Sequence, residues 1–257
     1  MRCPRFLRFC LRWLFLLTAS LFQLVVYLVC ALVLYLCHDL PPVPDVNNPE
    51  VLRAAFGIER VFEPVPYAAI PKPVVQAFLA AHDARYFDAG YSQSGCLYGV
   101  LFLFREGAAF YCNMSFLDQL GRSLLQAETR DAPNYRRLLR RCALEYKLRL
   151  FLSKTEILGL YLNTVYLGNS HYGVQAASRL YFCKALDELT PAEAACLAVL
   201  PHAPSRYNPF THPALLQERR DWLLDRMAAL AFLTPEEAAA AKAVPVGDLV
   251  RGSGNLF

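Results

Sequence analysis

The 257-residue chain holds 26 Lys and Arg against 22 Asp and Glu, and 56% of its residues are apolar. Four arginines, Arg2, Arg5, Arg8 and Arg12, sit near the start with no acidic residue among them, and without them the charges balance at 22 to 22. That balance argues against a nucleic-acid binder, which would present a basic surface.

Residues 13–37, WLFLLTASLFQLVVYLVCALVLYLC, carry no charge. About 20 apolar residues span a bilayer as a helix, so this run is long enough with some tilt. A cleaved signal peptide would have a shorter core of roughly 7–15 residues and a small-residue cleavage site. The run therefore reads as a single, uncleaved transmembrane helix. Basic flanks stay cytoplasmic, so residues 1–12 form a cytoplasmic tail and the rest lies across the membrane.

Residues 38–52 contain the Pro-rich stretch LPPVPDVNNPE. Proline fixes φ and removes donors, so 40–50 reads as a stiff tether rather than a folded element. Residues 53–257 read as one mainly α-helical domain. Apolar spacing predicts a helix over 73–87. Ser153 to Glu156, Thr190 to Glu193 and Thr234 to Glu237 each have the spacing of a capping box, and Pro191 and Pro235 stand at the first helical position. Gly168, Asn169 and Gly173 mark turns. None of the nine cysteines forms a CxxC pair, so zinc is not expected. Cys96 and Cys112 are the one pair worth considering as a disulfide, against the plainer reading of small buried hydrophobes.

The stretch 156–209 reads EILGLYLNTVYLGNSHYGVQAASRLYFCKALDELTPAEAACLAVLPHAPSRYNP. It resembles the last two motifs of the peptidoglycan glycosyltransferase domain, found in bifunctional penicillin-binding proteins and monofunctional transglycosylases. No SxxK, SxN and KTG set follows, so the resemblance is to the monofunctional, single-anchor members. It implies a two-lobed, lysozyme-like helical domain against the membrane. It also implies glycosyl transfer between lipid II molecules with release of undecaprenyl pyrophosphate. That chemistry needs a base for the attacking hydroxyl and cations, or a metal such as magnesium, for the leaving group. No dedicated metal site or other cofactor is expected.

The motifs that should carry the chemistry match less well. AFLAAHDARYFDAGY, residues 77–91, resembles AFLAAEDxRFFxHxG, with His82 at the family's catalytic glutamate and Asp83 at the adjacent aspartate. His82 reads as a general base, as a holder of Asp83 or a phosphate, or as a position without a catalytic role. Residues 113–124, NMSFLDQLGRSL, resemble GGSTITQQLxKN and retain Ser115 and Gln119. The pyrophosphate lysine falls on Ser123, with Arg122 beside it. In the third motif Arg136 and Arg137 match a basic pair. Either Arg140 or Arg141, depending on register, replaces the second catalytic glutamate. Glu145 is expected to pair with Arg141 on the helix surface. Gly159 stands at a pocket glutamate, and Arg206 is expected to pair internally.

The candidate catalytic residues are His82 and Asp83. The candidate substrate-binding residues are Ser115, Gln119, Arg122, Arg136, Arg137, Arg140 and Arg141. The resemblance implies an inner-membrane protein with a periplasmic domain, whose partners are lipid II or a nascent glycan strand, the membrane, and other envelope proteins. Transfer would be weakened or lost because the glutamates are replaced. The alternative is a non-catalytic scaffold that binds lipid II or an envelope partner.

Overall fold

The computed structural model describes residues 40–58, 61–88, 116–125 and 134–252, with Gln23, Tyr27, Tyr35 and His38. The chain divides into two compact units, 1–40 and 41–257. In the first, those four residues are helical and exposed, and Gln23 reaches Tyr27 one turn on. The remainder of the apolar run 13–37 and the basic tail lie outside the described residues. Among the described residues, no helix is long and apolar enough to cross a membrane.

The second unit is mainly helical. Its first helix, α1 (Pro49–Phe56), begins inside the stretch expected to be a tether. The local signal explains the correction. The Asn48 side chain accepts from the amides of Glu50 and Val51 at 3.0 and 3.3 Å, Pro49 needs no amide partner, and Gly57 closes the helix at φ 60°. Leu52 is buried, which fixes the helix against the domain. Strand β1 (Val61–Phe62) then pairs in parallel with β2 (His171–Tyr172), a link of long sequence separation that no local pattern predicts.

Helix α2 (Lys72–His82) is shorter than the predicted 73–87. Asp83 leaves helical geometry at φ −154°, and two turns follow, closed by Tyr86 N–H to Asp83 O and Asp88 N–H to Arg85 O. Tertiary packing decides this. Tyr86 is buried and its hydroxyl donates to the carbonyl of Lys154 at 2.9 Å, which a continued helix would not permit.

The remaining helices are α3 (Phe116–Leu125), α4 (Asn134–Phe151), α5 (Lys154–Thr164), α6 (Val174–Phe182), α7 (Pro191–Val199), α8 (Pro213–Ala229), α9 (Pro235–Ala243) and the short α10 (Val246–Leu249). The capping boxes at the starts of α5, α7 and α9 all close. At α5, Glu156 N–H reaches Ser153 Oγ at 3.2 Å and Ser153 N–H reaches the Glu156 carboxylate at 2.8 Å.

Helix α7 is the centre of the core. Its small residues, Ala192, Ala194, Ala195 and Ala198, are buried and let α2, α8 and α9 pack closely around it. Its one charge, Glu193, is also buried and is satisfied by Lys184 Nζ at 2.7 Å and by Thr190. On α8, the fully buried Arg220 donates to Asp221 and to the carbonyls of Val244 and Lys242, tying α9 to α8.

Candidate active site

His82 ends α2 and faces α3, α5 and α7. Its Nε2 lies 3.2 Å from the carbonyl of Ala198, which can only accept, so Nε2 carries the proton. Nδ1 is then the acceptor and takes a long contact, 3.5 Å, from the Gln119 amide nitrogen. The Gln119 amide oxygen in turn accepts from the Tyr161 hydroxyl at 2.8 Å. The result is one directed chain, Tyr161 to Gln119 to His82 to Ala198. The rings of Phe78, Phe116 and Tyr161 stand about the imidazole, each 6.0 Å from it by centroid for His82. Burial lowers the His82 pKa to about 4, against the opposing backbone hydrogen bond to Ala198. The same burial holds the Tyr161 hydroxyl far above its usual range.

Asp83 lies just past the helix end, where its backbone N–H caps α2 on Leu79 O at 2.9 Å. Burial raises its carboxyl pKa from the ordinary value, against the pull of the Arg85 amide.

Arg141, one of the two positions expected for the second glutamate, sits in an interlocked group. Asp118, on α3, is buried, and its carboxylate meets Arg122 at 2.8 Å and Arg141 Nε, from α4, at 2.9 Å. The angle of the Arg141 contact falls outside hydrogen-bond geometry, so charge rather than a directed bond joins them. Gly121 makes the approach possible. A Cβ there would lie 3.0 Å from Arg141 Cγ and 3.9 Å from Glu145 Cγ. Helix α4 thus turns Arg141 and Glu145 inward. Glu145 is buried, so the expected surface pair gives way to an ion pair between helices.

Gly159, at the third expected carboxylate, is buried on α5. A Cβ there would meet the Tyr67 Cβ at 3.1 Å, so the tyrosine covers the place where a side chain would emerge. The segment carrying Tyr67 is pinned by Asn163, whose side chain bonds both the N–H and the carbonyl of Val65 at 2.8 Å and the carbonyl of Gly159 at 2.9 Å.

A cavity of about 270 Å³ opens beside this group, lined among others by Gln119, Arg122, Tyr161, Tyr166 and His202. It falls just below the usual range of about 300–1,000 Å³ for small-ligand sites. Arg122 is half exposed there and remains tied to Asp118. Ser123 bonds its own helix at Gln119 O, so the charge at this end of α3 comes from Arg122 rather than from the aligned position.

Of the expected site residues, the fold brings together His82, Gln119, Arg122 and Arg141. Of these, Gln119 and Arg122 line that cavity, whereas His82 and Arg141 join them through the Gln119 amide and the Asp118 carboxylate; Arg136, Arg137, Arg140 and Asp83 are not in the lining. Ser115 lies outside the described residues, as do Cys96 and Cys112. Arg206 stacks over the ring of Tyr207 at 5.8 Å in place of the expected internal pair. Among the described residues no His, Cys, Asp and Glu group could hold a metal. Sequence reasoning missed Asp118, Gly121 and Tyr67. The first two stood inside the second motif as departures from its pattern, whereas Tyr67 gave no signal.

The Transglycosylase family model matches residues 49–228. The chain is 37% identical over 191 residues to a Cupriavidus necator protein named "Putative transglycosylase", covering 71% of this chain and 78% of that one. It is 31% identical over 226 residues to penicillin-binding protein 1A of Pseudomonas aeruginosa, covering 83% of this chain but 27% of that one. The chain thus spans about a quarter of the length of the penicillin-binding relatives. The crystal structure of penicillin-binding protein 1A from Haemophilus influenzae aligns at 28% identity and a TM-score of 0.46, over 77% of this chain and 19% of that one. A family match over more than half the chain, on a helical frame that keeps the Tyr, Asn and Gly positions of the fourth motif, shows that this chain belongs to the transglycosylase family.

Proposed function

We propose that this protein works in cell-wall glycan assembly, with lipid II or the nascent strand as its ligand and with glycosyl transfer weakened or lost. One observation carries this reading. None of the three positions where the resemblance expects a pocket carboxylate presents a free base. His82 is engaged at both ring nitrogens, Arg141 is paired with buried Asp118, and Gly159 is covered by Tyr67. A base with a pKa near 4 is also poorly matched to a sugar hydroxyl at neutral pH.

What the site retains suits binding. Arg122 at the cavity edge offers a guanidinium to a diphosphate, and Gln119, kept from the second motif, lines the same cavity. In this reading residues 13–37 anchor the chain in the inner membrane with the tail 1–12 in the cytoplasm. Residues 38–52 lead out, and 53–257 form the two-lobed, lysozyme-like domain in the periplasm. A scaffold that binds lipid II for an envelope partner without turning it over fits the same geometry.

The test is polymerisation of purified lipid II by the full chain, with and without magnesium, beside a direct binding measurement. The expected result is binding with product formation at least about 10²-fold below an enzyme that has its base. Processive strands that disappear in His82→Ala would overturn the reading, as would a chain that does not bind lipid II.

A further inference from the structure

Helix α8 buries Leu216, Leu223, Leu224 and Met227 in the core and turns Arg219, Trp222 and Arg226 outward at spacings of three and four. Trp222 is 41% exposed. The Arg219 guanidinium lies 4.0 Å over its ring and that of Arg226 lies 5.6 Å away. Facing them, Arg206 rests on Tyr207. Among the described residues the side chains of these three arginines form no hydrogen bond or ion pair.

Arg206, Tyr207, Leu215, Glu218, Arg219 and Trp222 line a cavity of about 230 Å³. Arg219 and Trp222 also line a smaller one, about 30 Å³, with His82 and His202. His202 in turn lines the cavity of Gln119 and Arg122. The three hollows therefore adjoin in a row from Arg122 to Trp222.

A guanidinium stacked on an aromatic ring has its face occupied and its N–H edge free for a carboxylate or phosphate. Glu218 in the same lining offsets part of the positive charge, which favours a singly charged group over a phosphate. Trp222 and Leu215, both exposed in this lining, offer apolar surface to the C–H groups of a sugar ring. We propose that Arg206 and Arg219, held on Tyr207 and Trp222, form a second binding site for a carboxylate-bearing glycan, at the far end of the row that starts at Arg122. The identity of the ligand as cell-wall glycan rests on the function proposed above, whereas the site itself does not.

The chain has two tryptophans, so Trp13→Phe leaves Trp222 as the sole indole reporter. The full chain with that change, in detergent, is titrated with muramyl dipeptide, an N-acetylated amino sugar whose attached dipeptide bears one free carboxylate. We expect a saturable change in Trp222 emission, weakened about tenfold or more in Arg206→Ala with Arg219→Gln. The neutral sugar diacetylchitobiose should give no change, and inorganic phosphate a weaker one. Equal response to the neutral sugar, tighter binding of phosphate, or undiminished binding by a folded double variant would each overturn the proposal. Arg122→Ala should weaken lipid II binding and leave this titration intact. A chain that fails to bind lipid II yet keeps the muramyl titration would sink the main-cavity reading alone, and the reverse result would sink this site alone.

Discussion

Replacing Asp118 by Asn removes the charge that holds two arginines against α3. Arg122 is half exposed and can turn to water, so its loss costs little. Arg141 is different. Its side chain is 19% exposed and is packed over Gly121, so it cannot leave without reopening the α3–α4 contact. Breaking a buried pair by removing one partner costs about 3–5 kcal/mol. With Arg141 partly reachable by solvent, the lower end, about 3 kcal/mol, is the expected loss. At about 2–4 °C per kcal/mol for a domain of this size, the melting temperature should fall by about 6–12 °C. The assay is thermal and urea unfolding of the full chain followed by circular dichroism. Asp118→Leu with Arg141→Met, which replaces the pair by apolar groups of similar size, should recover most of the loss. A drop under about 1 kcal/mol in Asp118→Asn, or strictly additive single and double variants, would refute the interlocked pair.

Three further outcomes follow from the same geometry. His82 has a pKa near 4 when folded and about 6.5 when unfolded, so its stabilising effect is complete above pH 6.5 and is lost as pH falls toward 4. That window is worth about 3 kcal/mol, and His82→Gln should flatten the unfolding free energy across it, whereas parallel curves would contradict the depressed pKa. Gly159→Glu should destabilise by about 2–4 kcal/mol through collision with Tyr67 and burial of a carboxylate. Adding Tyr67→Ala should restore part of the stability, and unchanged melting of Gly159→Glu would show that the position is open. Asn163→Ala leaves the Val65 amide without its side-chain acceptor, so faster hydrogen exchange at Val65 and a loss of about 2–3 kcal/mol are expected. Unaltered protection there would mean that the segment before Tyr67 is held by other contacts.

Local chemistry was legible. The capping boxes at Ser153, Thr190 and Thr234 closed because each depends on side chains three residues apart, whatever surrounds them. The Asn48 cap was equally local, but the prolines around it obscured it, and α1 started where a tether was expected. The end of α2 was not legible. Its apolar period continues past His82, and only the need to bury Tyr86 under the start of α5 stops the helix. The candidate site divides in the same way. The positions that had changed, His82, Arg141 and Gly159, could be read one by one. What each became depended on a partner far along the chain: Ala198 and Gln119 for His82, Asp118 for Arg141, Tyr67 for Gly159.

By itself, then, the sequence determined the family, the helical character and the absence of glutamates at 82, 140, 141 and 159, because motif identity and capping are local properties. Only the tertiary structure decided that Arg141 faces inward onto Asp118, that Tyr67 covers Gly159, and that Arg219 and Arg206 meet across a hollow. Such pairings depend on how helices cross. The first two turn on close approaches at Gly121 and Gly159, which carry no side chain to announce them.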